Sequence, residues 1–250
     1  MAVSIKSARE IELMREAGKR LAHVHQELEA MIAPGISTWE IDAKGEKLIR
    51  DCGCIPNFLH YNGYPASICV SVNDEVVHGI PRKDRYLKEG DIVSLDAGLI
   101  YKGYHSDAAR THAVGKVSTE AQKLMDVTKQ SFFEGIKMAK EGQHLHDISR
   151  AIEEYVTPYG YGIVRDLVGH GIGTALHEAP QIPNYAQKRR GVRLQAGMTL
   201  AIEPMINAGT WQVRFLRDGW TVVTKDGSLS AHYENTILVT DGEPEILTLY

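Results

Sequence analysis

The amino-acid sequence predicts an α+β domain built from two similar halves, each made of two helices followed by strands. Three observations carry this expectation. Helical and strand patterns alternate in blocks: two helices, strands, two helices, strands. A shift of 107 residues lays Gly35 on Gly142, Ile41 on Ile148, Gly53 on Gly160, Leu87 on Leu194 and Gly90 on Gly197. The same shift lays GDIVSLD (90–96) over GMTLAIE (197–203), so Asp96 coincides with Glu203 at the same strand end. The halves, about 1–113 and 114–250, are expected to form a single domain, their strands meeting at a pseudo-twofold axis in a central antiparallel sheet.

Each element follows from local chemistry. Ser7 with Glu10 makes a capping box ahead of an apolar stripe through Ile11, Met14, Leu21, Val24, Leu28 and Ile32, which Pro34-Gly35 stops. A second box, Ser37 with Glu40, opens a helix ending near Gly53. Strand patterns occupy 67–72, 92–99 and 104–114. Helical periodicity returns over about 118–140 and 145–158, and strands are expected near 163–168, 198–203, 221–224 and 232–239.

Composition narrows the classes of function. With 43% hydrophobic and 24% charged residues, the 250-residue chain reads as a globular protein rather than a disordered one. A formal net charge of -4 gives no reason to expect specific nucleic acid binding or an anionic membrane surface. No apolar run approaches the roughly 18 residues that span a bilayer, and the start reads directly as a helix with no secretory signal. Three cysteines, Cys52, Cys54 and Cys69, do not make a disulfide framework, which suits the cytoplasm.

The acids are the chemical signal. Lys102-Gly103 reads as a two-residue hairpin turn. That turn sets Tyr101 opposite Tyr104, Gly98 opposite Asp107 and Asp96 opposite Ala109. Asp96 and Asp107 are then diagonal neighbours on one face, with α-carbons about 7–8 Å apart. In the second half Glu203 precedes Pro204, and Glu234 sits in HYENTILV beyond a longer excursion containing Trp211 and Trp220. Two such charges about 5 Å apart repel by roughly 3 kcal/mol at an effective dielectric near 20. Either several of the four are protonated or cations lie among them. Two divalent ions would balance the charge, and paired metals are a recognised catalytic arrangement.

Nitrogen donors are available nearby. Gly169, Gly171 and Gly173 frame His170 in GHGIGTALHEAP, His177 follows, and His78 sits in NDEVVHGIP. A single strand aspartate more often faces solvent, and a single histidine is more often a hydrogen-bonded core or surface residue. Two matched acidic hairpins joined by a glycine-framed histidine are what favour a metal site. His232 shares a strand face with Glu234, which suggests a role behind the ligands. His23 and His25 do not face each other on their helix, and 188–193 reads as a solvated basic loop.

The motifs YNGYPASICVSVNDEVVHGIP, GDIVSLDAG…YHSDAART, VGHGIGTALHEAP, GMTLAIEPM and AHYENT, taken in this order, resemble the type I methionine aminopeptidases of the creatinase-like pita-bread family. The resemblance covers essentially the whole chain. It implies a pita-bread fold and two divalent metal ions held by Asp96, Asp107, His170, Glu203 and Glu234, with Asp107 and Glu234 bridging. It further implies a metal-bound hydroxide that attacks the first peptide bond, Glu203 relaying the proton, and His78 and His177 contacting the substrate. Phe58, Tyr61, Tyr64, Cys69, Leu176 and Trp220 match positions lining the methionine pocket. The implied substrates are nascent polypeptide N-termini near the ribosome with a small second residue, and the implied enzyme is a cytoplasmic monomer of the minimal, bacterial type. Cobalt, manganese, iron and zinc all suit such a site. Asn235 stands where many members have histidine, and Leu176 and Phe58 also depart from some relatives, which bears on pocket shape. X-Pro peptidases of the same fold, a non-catalytic binding module and a mononuclear iron oxygenase are the competing expectations. The first usually carries a further N-terminal domain, the second should lack ligands, and the third wants two histidines with one carboxylate.

Overall fold

The computed structural model describes residues 3–249. Helices α1 (Ala8–Glu29) and α2 (Thr38–Asp51) each begin at a serine whose capping box is formed as the sequence predicts. Strands β1 (Ile68–Val72), β2 (Glu75–Val77), β3 (Ile92–Tyr101) and β4 (Tyr104–Ala113) complete the first half. The second opens with α3 (Thr119–Ile136) and α4 (Leu145–Val156), followed by β5 (Gly169–Gly171), β6 (Glu178–Ile182) and β7 (Thr199–Ile202). An excursion carries β8 (Met205–Asn207), β9 (Val213–Phe215), β10 (Val222–Thr224) and β11 (Ser230–His232) before β12 (Glu234–Leu238) returns to the main sheet.

The main sheet is symmetric about the seam between β4 and β12. Moving outward from it, β4 pairs β3 and β3 pairs β1; on the other side β12 pairs β7 and β7 pairs β5. All these pairings are antiparallel. Alternation along the strands then separates two faces. Leu95, Ala97 and Leu99 pack with Leu21, Val24, Leu28 and Ile41 of α1 and α2, while Leu200, Ile202 and Ile237 pack with Leu124, Phe132, Ile148 and Ile152 of α3 and α4. Helices therefore cover one face, and the residues between these positions, Asp96, Glu203 and Glu234 among them, take the other.

Local differences from the sequence reading have physical reasons. The strand expected at 163–168 is only Gly162–Ile163, and the residues that pair in the main sheet are Gly169–Gly171. A Cβ on Gly169 would lie 2.4 Å from the Ala201 carbonyl oxygen, and one on Gly171 would lie 2.2 Å from that of Ala179. Close backbone approach, not β-propensity, makes this strand. The run expected at 232–239 divides at Tyr233, where β11 pairs β8 and β12 pairs β7. Pro204, lacking an N–H, makes the matching break between β7 and β8. Among the described residues no helix is long and apolar enough to cross a membrane.

Candidate metal centre

The hairpin turn has the predicted register: Tyr101 faces Tyr104, Gly98 faces Asp107 and Asp96 faces Ala109. Lys102 and Gly103 adopt φ of 48° and 84°, the left-handed pair that matches strand twist in such turns. Across the seam Glu234 faces Ala109, and Glu203 follows the end of β7. Asp96, Asp107, His170, Glu203 and Glu234 all line one cavity of about 230 Å³.

Within it, the ligand atoms of Asp107, His170 and Glu234 lie within 4.8 Å of one another, as do those of Asp96, His232 and Glu234. Glu234 is common to both groups. His170 Nε2 stands 3.6 Å from Glu203 Oε1 and 3.8 Å from Asp107 Oδ2. Its Nδ1 lies 2.8 Å from the Gly171 carbonyl oxygen. A carbonyl only accepts, so Nδ1 carries the hydrogen and Nε2 presents its lone pair to the acids.

Electrostatics point the same way. Burial raises Asp107 to about 7. Burial first, then the charge of Asp107 and its neighbours, pushes Asp96, Glu203 and Glu234 well above the ordinary carboxylate range. Burial lowers His170 to about 4, with His177 adding to the effect, so its imidazole is neutral. Asp96 Oδ1, Asp107 Oδ1 and Glu234 Oε1 are buried without a hydrogen-bond donor from the protein. Buried carboxylate oxygens short of donors, beside a lone pair aimed among them, fit divalent cations.

The remaining residues singled out from sequence line the same cavity: His78 and His177, and the set Phe58, Tyr61, Tyr64, Cys69, Leu176 and Trp220. The Tyr61 hydroxyl lies 2.8 Å from His177 Nδ1, and the His177 ring packs against His170 with centroids 4.3 Å apart. Trp220 meets Tyr64 edge-on at 5.2 Å and His78 at 6.2 Å. His78 sits at φ 58°, and the Tyr64 hydroxyl donates to the next carbonyl, Gly79 O, at 2.9 Å. Burial lowers His78 to about 4.

Sequence reasoning assigned no role to Asn62, which stands in the YNGYP motif and lines the cavity from a left-handed turn position. It also missed Arg110. This buried guanidinium donates to the carbonyls of Ala109, Glu234 and Thr248 and to Asn235 Oδ1, behind the acids on the helix side of the seam. Its sequence sign was its place in YHSDAART, three residues after Asp107.

Comparison with known proteins extends these observations. The model of metallopeptidase family M24 matches residues 12–241. The methionine aminopeptidase of Clostridium acetobutylicum is 53% identical over 247 residues, covering 99% of each chain. Methionine aminopeptidase 1 of Bacillus subtilis is 51% identical over 243 residues, covering 97% of this chain and 98% of its own. A crystal structure of methionine aminopeptidase from Thermotoga maritima is similar with a TM-score of 0.97 and 46% identity, covering 100% of both chains. The architecture is the pita-bread fold, its helices outside and its acids within. Since the family model takes in both acidic hairpins and the histidine strand between them, the chain belongs to metallopeptidase family M24.

Proposed function

We propose that the chain is a methionyl aminopeptidase, a hydrolase that removes the N-terminal methionine from polypeptides and favours a small second residue. The observation that carries this reading is a set of four carboxylates, three of them with a buried oxygen that no donor reaches, opening onto an aromatic-lined cavity. Asp96, Asp107, His170, Glu203 and Glu234 would hold two divalent ions, with manganese, iron, cobalt and zinc all compatible with an oxygen-rich set containing imidazole. Glu234, common to both ligand groups, and Asp107, beside it across the seam, are the assigned bridging residues. When bound, such ions neutralise the acids, polarise a carbonyl and lower the pKa of water from 15.7 toward about 7.

The chain's own groups do the rest. Glu203 takes a proton from the attacking water and returns it to the departing amide nitrogen. With the Tyr61 hydroxyl, 2.8 Å from His177 Nδ1, acting as donor there, the His177 hydrogen would sit on Nε2 to meet the carbonyl oxygen as its charge develops. His78, kept neutral by burial, contacts the scissile amide. Phe58, Tyr61, Tyr64, Cys69, Leu176 and Trp220 enclose the thioether, whose flexible, polarisable chain suits aromatic contact. The same reading has one catalytic domain acting as a monomer in the cytoplasm, on nascent chains near the ribosome.

The test pairs Met-Gly-Met-Met with an Ala-Pro peptide, each offered to metal-stripped protein resupplied with Co(II), Mn(II), Fe(II) or Zn(II), while native mass spectrometry counts bound ions. Methionine release from the first peptide alone, by a protein carrying two ions, is expected. Cleavage of the Ala-Pro bond instead would move the chain to the X-Pro peptidases, and activity in a chelated protein would remove the metal from the reading.

A further inference from the structure

We propose that His232 is itself a ligand of the metal centre, donating Nε2 to the ion held by Asp96 and Glu234, so that each of the two ions has its own imidazole. This rests on the metal-centre reading above and adds a sixth residue to it.

Position comes first. His232 lies two residues before Glu234 and so shares its face, while Ala231 and Tyr233 between and beside them turn into the helix-side core. The residue is 1% exposed, and neither ring nitrogen has a hydrogen-bond partner among the described residues. A buried imidazole with both nitrogens unsatisfied is costly unless something absent from the protein completes it.

Distance comes next. His232 Nε2 stands 3.7 Å from Glu234 Oε2, beyond hydrogen-bond reach. His170 Nε2 stands 3.6 Å and 3.8 Å from its own two carboxylates. A nitrogen and an oxygen each about 2.1 Å from one ion are separated by about 3.4–3.6 Å at tetrahedral to trigonal angles. The two histidines therefore keep the same spacing from the acids, each in a group with Glu234 whose ligand atoms lie within 4.8 Å.

Backbone restraint completes the case. The His232 amide donates to Thr111 Oγ1 at 2.8 Å, and Thr111 Oγ1 donates back to the His232 carbonyl at 2.9 Å. Across the same seam Thr236 treats Asp107 identically, accepting from its amide at 3.1 Å and donating to its carbonyl at 2.9 Å. One threonine from each half thus clamps one residue of the other half. The clamped residue in one case is Asp107, an assigned ligand; in the other it is His232.

The test strips wild-type, His232→Ala and His232→Gln proteins with chelator and titrates each with Co(II), reading heat and visible absorption. Wild type is expected to take two equivalents. His232→Ala should bind one of them at least tenfold more weakly, with an altered cobalt spectrum for that equivalent only, since even supporting residues around metal sites change affinity by 10–100-fold. X-ray absorption of two-cobalt wild type should give about one imidazole per ion on average, falling to about half in the variant. Two unchanged affinities with an unchanged spectrum, in a variant whose circular dichroism matches wild type, overturn the assignment. If neither variant folds, the wild-type imidazole count decides: about one supports it, about half overturns it. Wild type that fails to take two ions overturns the metal-centre reading, and this assignment with it.

Discussion

The two hairpins deliver acids to one place by different routes. In the first half, β3 and β4 pair without interruption from Ile92↔Ala113 to Tyr101↔Tyr104, and one tight turn fixes where Asp96 and Asp107 fall. In the second, β7 and β12 share four pairs, from Asn235↔Ile202 to Leu238↔Thr199, and the chain between Glu203 and Glu234 leaves the sheet altogether. Its strands join elsewhere: β8 pairs β11, and β10 lies between β9 and β2. The excursion brings Trp220 to the cavity and His232 to the acids. A short turn makes a rigid ligand platform and nothing more. The long excursion also builds a cavity wall.

If both hairpins supply ligands equally, removing an acid from either should be equally severe. Asp96→Asn and Glu203→Gln are each expected to lower kcat for Met-Gly-Met-Met by roughly 10²–10⁴-fold, the usual scale for losing an acid–base or comparable charged group. A much milder effect in one half would break the symmetry. The seam itself is the next place to probe. Arg110→Met removes a buried donor from three carbonyls of β4, β12 and the following chain, and should reduce stability by about 3 kcal/mol in urea unfolding, as when one partner of a buried charged network is lost.

Acidity separates the metal-free from the loaded protein. Asp107 is raised to about 7 in the fold, whereas an unfolded aspartate titrates near 3.8. Its stabilising contribution is therefore complete below about pH 4 and lost as pH rises through about 7. Chelated protein should melt at a lower temperature at pH 8 than at pH 5.5, Asp107→Asn should flatten this trend, and saturating divalent ion should reverse it. The smallest effects distinguish the two turns. Gly103 and Gly219 have φ of 84° and 83°, so valine at either costs roughly 1–2 kcal/mol of backbone energy. Gly103→Val should appear in global unfolding, while Gly219→Val, beside Trp220, should appear chiefly as a raised KM.

Legibility in the sequence followed the same division. The capping boxes at Ser7 and Ser37, the Lys102-Gly103 turn and the register of Asp96 and Asp107 depend on residues a few positions apart, and all were readable. The 107-residue shift extended that reading to Glu203, and the duplication it implies led to Glu234 in a later strand beyond a longer excursion. What escaped depends on distant partners. The short strand around His170 exists because bare glycine backbone can approach Ala201 and Ala179, which no propensity signals. β2 pairs β10, about 145 residues away along the chain, and the break at Tyr233 reflects a change of sheet, not a change of composition. The length of α1 was overread as well: its stripe continues to Ile32, but the helix stops at Glu29.

His78 carries its imidazole on a backbone turned to φ 58°, a setting that costs a residue with a side chain roughly 1–2 kcal/mol and glycine almost nothing. If His78 contacts the scissile amide as proposed, durability and turnover are set against each other at this one position. His78→Gly would relax the loop and gain up to about that much folding free energy while losing the ring that faces Trp220. Selection for heat resistance alone would drift toward that glycine, and on the proposed reading the histidine marks a place where the fold gives up some robustness to keep an imidazole facing the substrate.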